Sequence, residues 1–159
     1  MKITDLYKYW IFLNNKPLGR WLFNRVVAFV NPYTGALKAD VCELEKGFVR
    51  IRLKDRRGIR NHLNSIHAIA LTNLGEYASG LALITQFTEQ MRGIVVEINI
   101  EFIKKARGTL LAESSSRLPG QFLQQKTDTE HTVIANVFNT DKELVARTRV
   151  KWKLSFREE

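Results

Sequence analysis

A chain of 159 residues, 45% apolar and 26% charged, can bury one sizeable core and is neither a disordered nor a fibrous sequence. Its formal net charge of +9 calls for an anionic partner or surface, a description that fits nucleic acid, anionic lipid and the phosphates of coenzyme A alike. The single cysteine, Cys42, excludes an internal disulfide and reads as a small buried hydrophobe. No run approaches the roughly 20 apolar residues of a membrane span. Nor is there a charged-then-apolar leader, so a cytoplasmic protein is expected. Zinc-ligand spacing, phosphate-binding glycine loops and nucleic-acid-binding motifs are all missing from the sequence, so neither a metal nor nucleic acid is expected as a partner.

Residues 3–30 read as two short amphipathic helices separated by the turn-forming Asn14-Asn15-Lys16-Pro17. In the second, Leu18, Trp21, Leu22, Val26 and Phe29 recur at helical spacing. The first thirty residues hold seven aromatics and five Lys/Arg against one acid. Such a mixture suits association with a membrane surface, although a helical pair packed on its own domain is the commoner outcome. Asn31-Pro32-Tyr33-Thr34-Gly35 then has turn chemistry. The period changes to two after Ala39. Val41 and Leu44 mark a first strand, and Val49, Ile51 and Leu53 alternate with Arg50, Arg52 and Lys54 in a second. Residues 65–88 lack proline and are apolar over most of the helical circumference, which predicts a central helix. Gly75 and Gly80 inside it imply close approach by another element, because glycine costs about 1 kcal/mol in a helix interior. Strands follow at Val96–Phe102, Thr109–Ser116, His131–Phe138 and Leu144–Phe156, with a turn at Leu118-Pro119-Gly120. The order is α+β, an antiparallel sheet of about five or six strands that must curl around a single apolar helix.

Glu76 is the only formally charged residue between Arg60 and Glu89. A carboxylate among apolar helix neighbours is costly unless it has a partner or a task, so a structural ion pair with a strand residue, a simple opening to solvent and a catalytic role all fit. Asn61, Asn64 and His67 precede it, and each alone has a structural reading: Asn64 or Ser65 as helix cap, His67 as a hydrogen-bonded core residue. His67 and Ala68 fall near the helix start, where free backbone N–H groups and the dipole favour negative charge.

Together, Asn61-His62-Leu63-Asn64-Ser65-Ile66-His67-Ala68 and the following Leu74-Gly75-Glu76 resemble the Asn-x-x-Gly-x-x-His-Gly-Gly…Asp/Glu signature of hotdog thioesterases of the phenylacetyl-CoA type. The stretch Val96–Gly108 resembles that family's strand after the helix, and Glu143–Arg147 its closing strand pair. The likeness spans roughly residues 37–156. It divides the chain into an N-terminal helical extension, 1–35, and a hotdog domain, 36–159. Four positions depart from the signature: Asn64 replaces a glycine, Ala68-Ile69 replaces the glycine pair, and Lys105 or a neighbour replaces a proline.

The resemblance implies hydrolysis of an acyl-CoA or acyl-carrier-protein thioester, with coenzyme A present only as part of the substrate and no cofactor. Glu76 would be the base or nucleophile, Ala68 N–H the carbonyl-polarising donor, Asn61 the residue orienting water or Glu76, and His67 a wall of the site. Glu76 lies about 12 Å along the helix from Ala68, too far for both to serve one carbonyl. The family's solution is a homodimer, or a tetramer built from dimers, in which Glu76 of one subunit faces the helix start of another. Asn64 would border the substrate, and Arg56, Arg57, Arg60, Lys104, Lys105 and Arg107 are the candidate contacts for the phosphates of coenzyme A. The alternatives are a hydratase or dehydratase on the same fold, or a non-catalytic module binding acyl chains, membrane or nucleic acid.

Overall fold

The computed structural model of the chain describes residues 3–157. Helices α1 (Leu6–Asn14), α2 (Gly19–Val30) and the single turn α3 (Pro32–Gly35) come first. Strands β1 (Asp40–Glu45) and β2 (Phe48–Leu53) lead to the long helix α4 (Ala68–Ile84). Strands β3 (Met91–Phe102) and β4 (Leu110–Ser115), the short helix α5 (Gly120–Gln125), and strands β5 (Thr129–Phe138) and β6 (Leu144–Phe156) complete the chain. One six-stranded sheet runs β1-β2-β4-β5-β6-β3, every pair antiparallel. This is the hotdog arrangement, the curved sheet forming the bun and α4 the filling.

Alternation decides the strands. In β2, Val49, Ile51 and Leu53 are fully buried, while Arg50 and Arg52 face outward. There Arg50 meets Glu43 and Glu113, and Arg52 meets Asp40. Two of the seven basic residues between positions 46 and 60 are therefore neutralised on the convex face by carboxylates of neighbouring strands. The inner face packs on α4, of which Leu74, Ala78, Ala82 and Leu83 are completely buried.

Gly75 and Gly80 are where the sheet comes closest to the helix. A Cβ on Gly75 would stand 2.2 Å from Thr148 Oγ1, and one on Gly80 3.2 Å from the Trp152 ring. Thr148 is itself fully buried on β6 and has no room to retreat. Alanine at position 75 would gain about 1 kcal/mol of helix propensity. Gly75→Ala is nevertheless expected to lower stability by about 1–3 kcal/mol through overpacking, and a thermal melt would show it.

The N-terminal helices join the same core. Leu6, Trp10, Phe23 and Val27 belong to the cluster that includes Leu71, Leu74 and Val41, and the rings of Trp10 and Phe23 meet edge to face at 5.0 Å. Asn24 of α2 covers the sheet edge: its Oδ1 accepts from Val41 N–H at 2.7 Å, and its Nδ2 donates to Val41 O at 3.3 Å. A polar side chain thus satisfies an edge strand that would otherwise present open backbone.

Several local readings change. The stripe Leu18, Trp21, Leu22, Phe29 along α2 faces outward, with Phe29 87% and Leu18 78% exposed, while Phe23 and Val27 face in. Residues 31–35 form the one-turn helix α3, with Pro32 at its first position and Asn31 as its cap. The central helix is shorter than 65–88, and its N-cap is His67 instead of Asn64 or Ser65. Pro119 opens the helix α5 where a simple turn was expected, because Phe122 gains full burial against Phe156 at 4.6 Å. Strand β3 begins five residues early, at Met91, with an irregularity between Val95 and Glu97.

Candidate active site

The loop before α4 is built around one side chain. Asn61 Oδ1 accepts from the N–H groups of Leu63 (3.0 Å) and Ser65 (3.1 Å), while Asn61 N–H donates to Ser65 O at 2.8 Å. Closing so tight a loop forces Asn64 to φ 54°, the left-handed region in which glycine is most at ease and asparagine is the next most tolerant. The glycine-to-asparagine departure therefore preserves the backbone. Asn61 shapes the loop through its carbonyl oxygen, and its amide nitrogen has no protein acceptor among the described residues.

This loop delivers His67 to the helix start. His67 Nδ1 accepts from Ile69 N–H at 3.1 Å, and His67 O accepts from Leu71 N–H at 3.1 Å. Ala68 N–H makes no hydrogen bond to another described residue and lies at the positive end of the helix dipole. Asn61 and Ala68 line a cavity of about 340 Å³ together with Leu63, Phe102, Lys104 and Lys105.

Glu76 is two turns further along and does not border that cavity. It stands between two others. One, of about 350 Å³, is shared with Asn31, Tyr33, Thr34, Ile69, Thr72, Asn73 and Ile98. The second, of about 200 Å³, is mostly apolar, lined by Leu6, Val27, Val30, Tyr77, Leu81, Ile84 and Trp152. The Glu76 carboxylate has no hydrogen-bond or ion-pair partner among the described residues. Burial pushes its carboxyl above the ordinary glutamate range. The ion-pair reading of this residue therefore falls, leaving a half-buried group that holds its proton to higher pH than usual.

The basic residues do not form one cluster. Arg60 Nε donates to Asp55 at 2.7 Å, and the second Asp55 oxygen accepts from Gly108 N–H at 2.9 Å. These bonds hold the Asp55 carboxyl below its usual range and clamp the loop before α4 to the β3–β4 turn. Arg56 donates to Ala36 O and Arg107 to Leu63 O, while Lys104 pairs with Glu143. Lys105 and Arg57 are exposed, and neither has a carboxylate or carbonyl partner among the described residues. Lys105 lies on the rim of the Asn61–Ala68 cavity.

Asn73 escapes the sequence reading. It lies one turn before Glu76 on the same side of α4, its Oδ1 accepts from Thr34 Oγ1 at 3.0 Å, and at the Glu76 cavity its amide nitrogen has no acceptor among the described residues. The i, i+3 spacing from the one isolated carboxylate was the available signal. Among the described residues no three His, Cys, Asp or Glu side chains converge as metal ligands would.

A sheet curled about one buried helix, with a lone carboxylate at mid-helix and an unpaired N–H at its start, places the chain among hotdog-fold proteins. The chain belongs to the family described as domain of unknown function DUF4442, which matches residues 19–154. No curated protein sequence matches it. Among solved structures it is similar to a structural-genomics target, APC5556, over 98% of this chain and 99% of that one, at 21% identity and TM-score 0.78. It is also similar to PA5026, a probable thioesterase from Pseudomonas aeruginosa, at 22% identity and TM-score 0.76 over 84% and 93% of the two chains. The PaaI protein of the Escherichia coli phenylacetic acid degradation operon aligns at 20% identity and TM-score 0.66 over 84% and 97%. At such identities the likeness carries the fold.

Proposed function

We propose that the protein is a thioesterase, hydrolysing an acyl-CoA or acyl-carrier-protein thioester at a site shared by two copies of the chain. The observation that carries this reading is the unpaired, half-buried Glu76 carboxylate beside an apolar cavity. The names of its structural neighbours, a probable thioesterase among them, agree with it.

The second copy comes from β3. Among the described residues this strand is the last in the sheet and pairs only with β6, and its Val96, Ile98 and Phe102 are 49%, 39% and 52% exposed. Long apolar edges of this kind invite another strand. Ile98 borders the Glu76 cavity and Phe102 the Ala68 cavity. An antiparallel pairing of two β3 edges about a twofold axis near Ile100 sets Ile98 opposite Phe102 of the second copy. Glu76 then faces the other copy's Ala68 N–H. The four-residue offset along the strand, about 13 Å, matches the roughly 12 Å between Ala68 and Glu76 along the helix.

In this arrangement Ala68 N–H polarises the thioester carbonyl, and Glu76 takes a proton from the attacking water, which Asn73 can orient. The tetrahedral intermediate then expels the thiolate, which recovers the proton. The apolar cavity behind Glu76 receives the acyl chain, and Lys105 is placed to meet phosphates of the carrier. A panel of CoA thioesters graded by chain length tests the proposal. Hydrolysis with a chain-length optimum is expected, together with a dimer by light scattering. Ile98→Arg should yield a folded monomer with little turnover. Failure to hydrolyse any thioester would overturn the reading.

A further inference from the structure

The outer face of the α1–α2 hairpin is the most apolar exposed surface found among the described residues. Phe29, Leu18, Phe12 and Trp21 are 87%, 78%, 62% and 61% exposed. Between the helices runs an apolar groove of about 400 Å³ with Tyr9, Phe12, Leu22 and Val26 at its sides. Isolated exposed apolar residues need no explanation, but a contiguous face of this size does. Burial of α2 on its own domain does not supply one, since that is done by the opposite face, Phe23 and Val27.

Charge selects the occupant. Helices α1 and α2 and the turn between them carry Lys8, Lys16, Arg20 and Arg25 and no carboxylate; the nearest, Asp5, is bound to Lys8 at 3.0 Å. Lys16 Nζ rests 3.4 Å above the Phe12 ring, and the Arg25 guanidinium 5.8 Å from the Trp21 ring. These cations lie along the apolar face, where long stems can keep the charge at a polar boundary while the rings go deeper. Apposing two copies of this face would bring like charges together with nothing to neutralise them. An acidic, hydrophilic protein would answer the charge and leave the aromatic side chains unsatisfied. An anionic bilayer answers both. No described helix is long and apolar enough to cross a membrane, so the contact is superficial.

We propose that the α1–α2 hairpin docks the protein on anionic phospholipid surfaces, with Leu18, Trp21 and Phe29 entering the headgroup–acyl boundary and Lys16, Arg20 and Arg25 meeting lipid phosphates. The inference stands apart from the proposed hydrolysis. The test is cosedimentation of the full-length protein with phosphatidylcholine vesicles, with and without phosphatidylglycerol. Binding is expected on the anionic vesicles, weakening as salt shortens the Debye length. Tryptophan emission should shift to the blue on binding, reporting Trp21, because Trp10 and Trp152 are already buried. The double variant Leu18→Asn/Phe29→Ser should bind at least about tenfold more weakly. Asparagine accepts the left-handed backbone at position 18 (φ 60°), so the melting temperature and thioester turnover in vesicle-free buffer should be unchanged. Arg20→Glu/Arg25→Glu should abolish the preference for phosphatidylglycerol. Protein that stays in the supernatant with anionic vesicles at low salt would overturn the proposal. So would unaltered binding by the double variant, or a loss of oligomeric state on that substitution without any vesicle binding.

Discussion

Glu76→Gln is expected to lower thioester turnover by about 10³-fold or more, while the protein melts at the same or a higher temperature near neutral pH. The two effects have one origin. Burial raises the Glu76 carboxyl above the ordinary range in the folded state, so the folded protein binds its proton more tightly than the unfolded chain does. Stability associated with this group is greatest at low pH and declines as pH rises from the unfolded value through the folded one. Glutamine keeps the volume and removes the charge, and so relieves that penalty. Catalysis has the opposite requirement, because only the deprotonated carboxylate can accept a proton. The kcat/KM profile should therefore rise with pH through an apparent pKa above the usual glutamate range. Near-normal turnover by Glu76→Gln would exclude it as the base, and a destabilised variant would assign it a structural role.

A comparable loss, about 10²–10³-fold, is expected from Ala68→Pro, which deletes the N–H proposed to polarise the carbonyl. Proline suits the first position of a helix. His67 before it already has φ −63° and ψ 143°, the extended conformation a following proline demands. Circular dichroism and melting should consequently match the parent protein. The more searching experiment mixes the two inactive variants. A shared site predicts that unfolding and refolding Glu76→Gln with Ala68→Pro in equal amounts restores activity to about a quarter of the parent value. Half of the random dimers are then mixed, and each has one of its two sites intact. Two inactive proteins that remain inactive when mixed would mean that each site lies within one chain.

Both variants rest on residues that the sequence exposes for identifiable reasons. Glu76 stands out because nothing else between Arg60 and Glu89 is charged, and β2 and β6 are plain because each buries one face only. Helix α4 is legible from an apolar surface that leaves no polar side. The outward stripe of α2 is not assignable in this way: two opposite faces of that helix are apolar, and periodicity cannot say which one the core takes. Pro119-Gly120 looks like a turn because the reward for making a helix there, burial of Phe122, comes from Phe156 at the far end of the chain. The basic residues mislead for a related reason. Arg56, Arg57 and Arg60 are neighbours in sequence, but Arg56 and Arg60 bind different loops. Lys104 and Lys105, distant in sequence, both line the cavity, and Lys104 is already paired with Glu143. The proposed twofold relation between Glu76 and Ala68 is legible in the sequence only as a distance too long for one chain.

Leu6 and Val27 line both the apolar cavity behind Glu76 and the groove between α1 and α2. Under the proposed reaction the acyl pocket therefore ends in a partition one side chain thick. An acyl tail that outgrows the pocket meets two aliphatic side chains, which can turn about their own bonds. The ruler for substrate length is then soft at its far end. Longer tails are penalised gradually, by the displacement of Leu6 and Val27, and a tail that parts them emerges on the same face that carries Trp21 and Leu22. In such a molecule, chain-length preference and contact with a lipid surface would be adjusted by the same two residues.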